Sequence, residues 1–170
     1  CFNLAKTEVE DSYLYLGLMY MSGLGIAKNC SKAFECFIKT PETNDDYNLV
    51  TYNLALCYKY GYGTKVDYKK AIQLFKENDS GNAIDPDILY EYADCLIRLY
   101  GKDIPEGTTE LLWKAHDRSN IKATYKLGYC YLNRIGFNKD KEKAFQLFKI
   151  AAEKDYAPAM LDLATCYKKR

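Results

Sequence analysis

Long apolar runs are missing from this chain of 170 residues, and no stretch approaches the ~20 apolar residues that a membrane-spanning helix needs. An excess of one charge is missing too. The 24 basic and 23 acidic residues are interspersed and leave a net charge of +1, no electrostatic footprint for nucleic acid or an anionic membrane. Tyr167-Lys168-Lys169-Arg170 is the one dense basic run, and it reads as a solvated helix end. Histidine is nearly absent: His116, beside Asp117, is the single base that a cysteine nucleophile would have available. No CxxC pair occurs among the seven cysteines, which argues against a zinc site. The glycine pairs Gly23-Leu24-Gly25 and Gly61-Tyr62-Gly63 follow no expected strand and lack the Lys-Ser/Thr that grips phosphate. Catalysis by these residues is therefore not expected, and no cofactor is implied.

What the chain has is a period. Leu16-Gly17-x-x-Tyr20, Leu54-Ala55-x-x-Tyr58, Tyr92-Ala93-x-x-Leu96, Leu127-Gly128-x-x-Tyr131 and Leu163-Ala164-x-x-Tyr167 set a small residue at steps of 38, 38, 35 and 36. A second column keeps the same step: Ala33 with Phe37, Ala71 with Phe75, Thr109 with Trp113, and Ala144 with Phe148. Two registered columns mark a stack of supersecondary units, and such a stack offers a binding surface before it offers a cleft. Apolar residues at 48% suffice to order every unit, and 17 tyrosines suit both a core and a recognition surface.

One unit shows the grammar. Tyr13, Leu16, Gly17 and Tyr20 lie on one helical face, and Gly23-Leu24-Gly25 closes that helix with the positive φ that glycine supplies. Asn29 then caps a second helix whose apolar face is Ala33, Phe34, Phe37 and Ile38. The second unit repeats this with Gly61, Gly63, Asp67, Ala71 and Phe75, and the fourth with Gly136, Asp140, Ala144 and Phe148, although Arg134 stands where the first turn glycine belongs. The third deviates: Leu99 replaces that glycine and Pro105 the capping residue, with Gly107 just inside, so a shorter or shifted second helix is expected. The small column reads as the place where the two helices of a hairpin cross closely.

Taken together, Leu54-Ala55, Tyr58, Gly61-Tyr62-Gly63, Asp67, Lys70-Ala71 and Phe75, with Leu16-Gly17, Tyr20, Gly23-Leu24-Gly25, Lys32-Ala33 and Phe37, resemble the Sel-one-like repeat family, close relatives of the tetratricopeptide repeat. The resemblance covers essentially the whole chain. It implies an all-α, right-handed superhelical solenoid of antiparallel helix pairs with first helices lining the concave face. It also implies a non-enzymatic adaptor or scaffold, as in signalling, endoplasmic reticulum quality control, cell-wall synthesis regulation or host-microbe contact.

The expected organisation is a single array over 1–170: a partial repeat at 1–10, repeats at about 11–46, 47–84, 85–120 and 121–156, and a partial repeat at 157–170. Phe2 precedes Gly17 by the interval that separates Trp113 from Gly128, so residue 1 is expected inside a second helix, and the chain is expected to continue at both ends. Cys57, Cys95, Cys130 and Cys166 fall two places after the small residue, with Met19 in the same slot, and read as small buried hydrophobes. Unpaired thiols point to the cytoplasm. Two formal glycosylation sequons, Asn29-Cys30-Ser31 and Asn78-Asp79-Ser80, keep the lumen of the endoplasmic reticulum as the alternative.

If first helices line a groove, the contact positions lie three before, one after and four after the small column, taken here as one face turned away from the core. They supply Leu14, Tyr52, Tyr90 and Tyr125, then Asp94 and Tyr129, then Lys59 and Lys168, with Arg98 close by. Packing between neighbouring first helices is the alternative use of the same residues. A groove of tyrosine rings with a few charges suits a peptide or helical segment of another protein. A lumenal quality-control adaptor, and a regulatory array attached to an enzyme such as a kinase or cell-wall synthase, are the other two functional readings.

Overall fold

The computed structural model describes the backbone of residues 2–42, 46–78 and 85–168, with side chains from residue 12 onward. The side chain of Phe2, and Lys169 and Arg170 of the terminal basic run, lie outside the described residues. All regular structure among these residues is helical. The chain divides into two compact units, 1–80 and 81–170. The first holds α1 (Phe2–Ser22), α2 (Cys30–Lys39), α3 (Tyr47–Tyr60) and α4 (Tyr68–Glu77). The second holds α5 (Pro86–Tyr100), α6 (Thr108–Asp117), α7 (Ile121–Asn133), α8 (Lys141–Ala152) and α9 (Ala157–Lys168).

Helices pack in sequence order within each unit: α1 on α2, α2 on α3 and α3 on α4; then α5 on α6, α6 on α7, α7 on α8 and α8 on α9. The small column sits at the hairpin crossings. A Cβ placed on Gly17 would stand 2.6 Å from the Phe37 ring, and one on Gly128 2.7 Å from that of Phe148. Ala55 and Ala93 are fully buried. The core of the first unit gathers Leu14, Ala33, Phe37, Val50 and Cys57. That of the second gathers Leu89, Ala93, Leu112, Leu127, Ala144 and Phe148, among others.

Each regular hairpin is closed by the same small set of interactions. The capping side chain accepts from the backbone N–H three places on: Asn29 from Lys32 at 3.0 Å, Asp67 from Lys70 at 3.0 Å, Asp140 from Lys143 at 2.9 Å. The capping residue's own N–H donates back to the first helix, to the carbonyls of Tyr20, Tyr58 and Tyr131 at 2.9, 2.8 and 3.2 Å. Those tyrosine rings are in turn overlaid by the lysines, with Nζ of Lys32, Lys70 and Lys143 at 5.4, 5.0 and 5.4 Å from the ring centroids. Tyrosine, cap and lysine thus form one latch joining the two helices.

The third hairpin has lost every part of it. Leu96 replaces the tyrosine, Thr108 the lysine, and Pro105 has no N–H to give. Leu99 stays helical, α5 runs on to Tyr100, and Gly101 makes the turn with φ 65°. The second helix is shifted as expected: α6 starts 15 residues after Ala93, whereas α2, α4 and α8 each start 13 after their small residue. In the fourth hairpin Arg134 adopts the left-handed conformation in place of glycine, with φ 61°.

Helix α1 is continuous from Phe2, through the stretch where the period would put a turn between repeats. The junctions before α7 and α9 break at residues with positive φ, Ser119 and Asp155. Residues 5–10, Ala-Lys-Thr-Glu-Val-Glu, contain neither glycine nor proline, and nothing local interrupts the helix there.

Candidate partner-binding surface

The nine residues read as groove lining divide into three groups. Leu14, Lys59 and Asp94 are 0%, 2% and 1% exposed and offer no contact surface. For Leu14 and Lys59 the reason is angular: positions three before and four after the small residue lie only about 60° and 40° around the helix from it, beside the buried face. Leu14 joins the core with Phe37. Asp94 is held between two cations, with Arg98 Nε 2.7 Å from one carboxylate oxygen and Lys126 Nζ 2.6 Å from the other. A buried carboxylate needs such pairing to offset its desolvation.

The tyrosines form the second group, and they are half-buried packing elements. Tyr52 leans on Phe75 at 6.2 Å and Tyr125 on Phe148 at 5.5 Å, each ring meeting the aromatic of its own hairpin. Tyr125 also stitches α7 to α9: its hydroxyl donates to Asp162 at 2.8 Å and its ring meets Tyr156 at 5.3 Å. Burial, followed by the hydrogen bond to Asp162 and its charge, pushes the Tyr125 phenol well above its ordinary value. Burial likewise raises Tyr156, with Asp94 and Glu91 adding to it. Tyr90 is overlaid by Lys122, whose Nζ lies 5.8 Å from the ring centroid.

Arg98, Tyr129 and Lys168 make the third group and are exposed. In the second unit, Arg98 of α5 and Tyr129 of α7 both adjoin the Asp94–Lys126 pair, since Lys126 Nζ also stands 5.5 Å from the Tyr129 ring. Lys122 and Lys126 escaped the sequence reading because neither falls in a repeating column. Their spacing by four on α7, opposite Tyr90 and Asp94 four apart on α5, is the signal that would have found them. A separate depression of about 630 Å3 is lined by Leu132, Phe145, Asp162, Thr165 and Cys166 together with Lys139 and Lys141.

Other reactive groups are engaged structurally. Cys57, Cys95 and Cys130 are fully buried, and burial pushes the Cys57 and Cys130 thiols up to about 12, so neither supplies a thiolate. The cysteine column is therefore packing, and Cys166 is partly buried. His116 Nδ1 lies 2.8 Å from the Thr124 hydroxyl, its ring edge-on to Trp113 at 5.3 Å, joining α6 to α7. No group of three metal-ligating side chains occurs among the described residues, and no described helix is long and apolar enough to cross a membrane.

These hairpins have known counterparts. The chain is 27% identical, over 96% of its length, to chitin synthase regulatory factor 3 of Schizosaccharomyces pombe, but spans only 18% of that protein. Among solved structures it is similar to a protective antigen of uropathogenic Escherichia coli strains that displays an SLR fold: TM-score 0.75, 26% identity, 94% of this chain and 34% of the other. A Sel1 repeat protein from Oxalobacter formigenes shares the fold at TM-score 0.71 with 24% identity, over 93% of this chain and 63% of that one. The profile of the Sel1 repeat matches residues 10–40, 50–77 and 121–156, and passes over the hairpin that has lost its latch. With more than half of its residues matched, all in hairpins closed by the same Tyr-Asp/Asn-Lys latch, the chain belongs to the Sel1 repeat family.

Proposed function

We propose that this chain is a non-enzymatic interaction module that binds a peptide or helical segment of another protein on the first-helix face of its second unit. The observation that carries the reading is the strip formed by Arg98, Lys122 and Tyr129, exposed side chains on α5 and α7, with Arg98 and Tyr129 adjoining the Asp94–Lys126 pair and Lys122 lying over Tyr90. An aromatic ring among guanidinium and ammonium groups over a rigid base is the kind of contact that dominates protein interfaces. The test is the double variant Arg98→Glu, Tyr129→Ala, with partner capture from native material compared by mass spectrometry. Capture of specific partners should fall while circular dichroism stays helical; undiminished capture of the same partners removes this face.

A regulatory role toward an enzyme, a cell-wall synthase in particular, is the second reading, favoured by the similarity to chitin synthase regulatory factor 3. Its test is co-purification of a synthase with this chain and loss of synthase activity when the strip is mutated. The lumenal alternative now depends on Asn29 alone. Asn78 is 7% exposed, which leaves no room for a glycan on the folded chain, while Asn29 is exposed and caps α2. A mobility shift on deglycosylation that persists in Asn78→Gln and vanishes in Asn29→Gln would establish that compartment.

A further inference from the structure

Charge is balanced over the chain as a whole, but not on the first helices of the second unit. Helix α7 carries Lys122 and Lys126 and no acid. On α5 the acids are Asp87, Glu91 and Asp94; the last two are buried, and Asp87 accepts from the Asn120 amide at 2.8 Å. Arg98, half exposed, is the one cation of that helix. Asp162 of α9 is likewise engaged, holding the Tyr125 hydroxyl. Acids therefore lie beneath and cations above. On the second helices α6 and α8 exposed acids and bases are mixed instead, as Glu110, Lys114 and Asp117, and as Lys141, Glu142 and Lys143. A surface of like charges with its counter-charges sunk below it attracts an anionic partner.

The register of the two helices spaces these cations. Lys122 lies over Tyr90 and Lys126 pairs with Asp94, so α5 and α7 run side by side in one direction. Arg98 follows Tyr90 by about eight residues at ~1.5 Å each, which sets it about 12 Å beyond Lys122 along the helices and one helix spacing, ~9 Å, across from it. Lys126 lies between the two levels, its Nζ 5.5 Å from the exposed Tyr129 ring. We propose that the segment held by this strip is an extended acidic peptide with two carboxylates four residues apart, one on Lys122 and one on Arg98. The proposal rests on the strip being the contact surface and adds the chemistry of its occupant. Four residues of extended chain cover about 13 Å, and the flexible stems of lysine and arginine take up the rest. Alternate residues of such a chain project to one side, so the residue midway between the carboxylates meets the Tyr129 ring and is apolar. Nucleic acid fits less well, because the chain as a whole has a net charge of only +1 and no basic surplus to follow a phosphate backbone.

The experiment is an NMR titration of the isotopically labelled 170-residue chain with the synthetic peptide Gly-Glu-Val-Leu-Val-Glu-Gly, acetylated and amidated so that its only charges are the two glutamates. Saturable shifts are expected at Arg98, Lys122, Lys126 and Tyr129, and added salt should weaken the binding. The same peptide with both glutamates replaced by glutamine should bind about tenfold or more weakly, and so should the acidic peptide to the Lys122→Glu chain, whose exposed position leaves the fold intact. Equal affinity of the glutamine peptide at the same four residues overturns the acidic partner and leaves the contact surface standing. Absence of saturable shifts there at millimolar acidic peptide also overturns the proposal, while the surface itself is judged separately by the Arg98→Glu, Tyr129→Ala capture experiment. A single-stranded RNA oligonucleotide that displaces the peptide at a lower concentration than the peptide's own overturns it as well, because the partner would then be nucleic acid.

Discussion

Arg134 and Gly128 occupy opposite situations in the same hairpin. Arg134 is exposed and holds a left-handed φ of 61° that costs a residue with a Cβ on the order of 1 kcal/mol. Arg134→Gly should therefore stabilise the second unit by about 1 kcal/mol, read as a rise of a few degrees in the melting temperature. Gly128 is the reverse case. Alanine there would gain helix propensity but would put its Cβ 2.7 Å from the Phe148 ring and 3.2 Å from the Ala144 carbonyl, so Gly128→Ala is expected to lose about 1 to 2 kcal/mol in a urea titration. Ala55 and Ala93, fully buried at the same column, show that a Cβ is accommodated there in the second and third hairpins.

At the scale of the element, the latch explains why tyrosine, Asp or Asn, and lysine recur together: each holds the next. Asp140→Ala removes the side-chain cap and should cost about 1 kcal/mol; Lys143→Ala should cost about 0.5 kcal/mol through the cation over Tyr131. Because both substitutions act on one closed arrangement, the double variant should cost less than their sum, by a measurable coupling in a double-mutant cycle; strict additivity would mean that the contacts are independent. Helices, caps and the shifted third hairpin were legible in the sequence because glycine, proline and capping residues act locally. Lys32 and Lys70 were visible in the repeat pattern, but neither Lys143 nor the purpose of the column, since a ring-to-ammonium contact joins residues 12 apart on two helices. The exposure of the candidate contact positions was legible only in part. Helical angle already places Leu14 and Lys59 beside the buried face, whereas the fate of Asp94, about 100° round from Ala93, depends on which neighbour covers that flank.

For the molecule as a whole, the buried thiols set an alkaline limit. Cys57 and Cys130 titrate near 9.0 when unfolded and are pushed up to about 12 in the folded chain, first by burial. Above pH ~9 the unfolded chain gives up protons that the folded chain keeps, so the stabilisation is complete below that pH and is lost as pH rises toward 12. One core in each unit contains such a thiol, so both units are exposed to the effect. In Cys57→Ala and Cys130→Ala chains, the fall in urea midpoint between pH 8 and pH 10.5 should be shallower than in the parent, even though the lost sulfur lowers the midpoint at pH 8. An unchanged slope would place the alkaline sensitivity elsewhere, with the tyrosines as the next candidates.

The hairpin without a latch has a practical use. Between Gly101 and Gly107 the bond from a capping residue's N–H back to the first helix is missing, since Pro105 has no N–H, and a Cβ at either glycine would meet nothing within 4 Å. The other three described hairpin turns are closed by the latch and share one length. This one has already accepted a change of register, with α6 displaced along its sequence while Leu112 and Ala115 stay in the core. It is therefore the place in the chain to carry cargo: an epitope, a fluorophore site or a short inserted peptide at 102–103, ahead of Ile104, which packs on the core, will report on the array without loosening it.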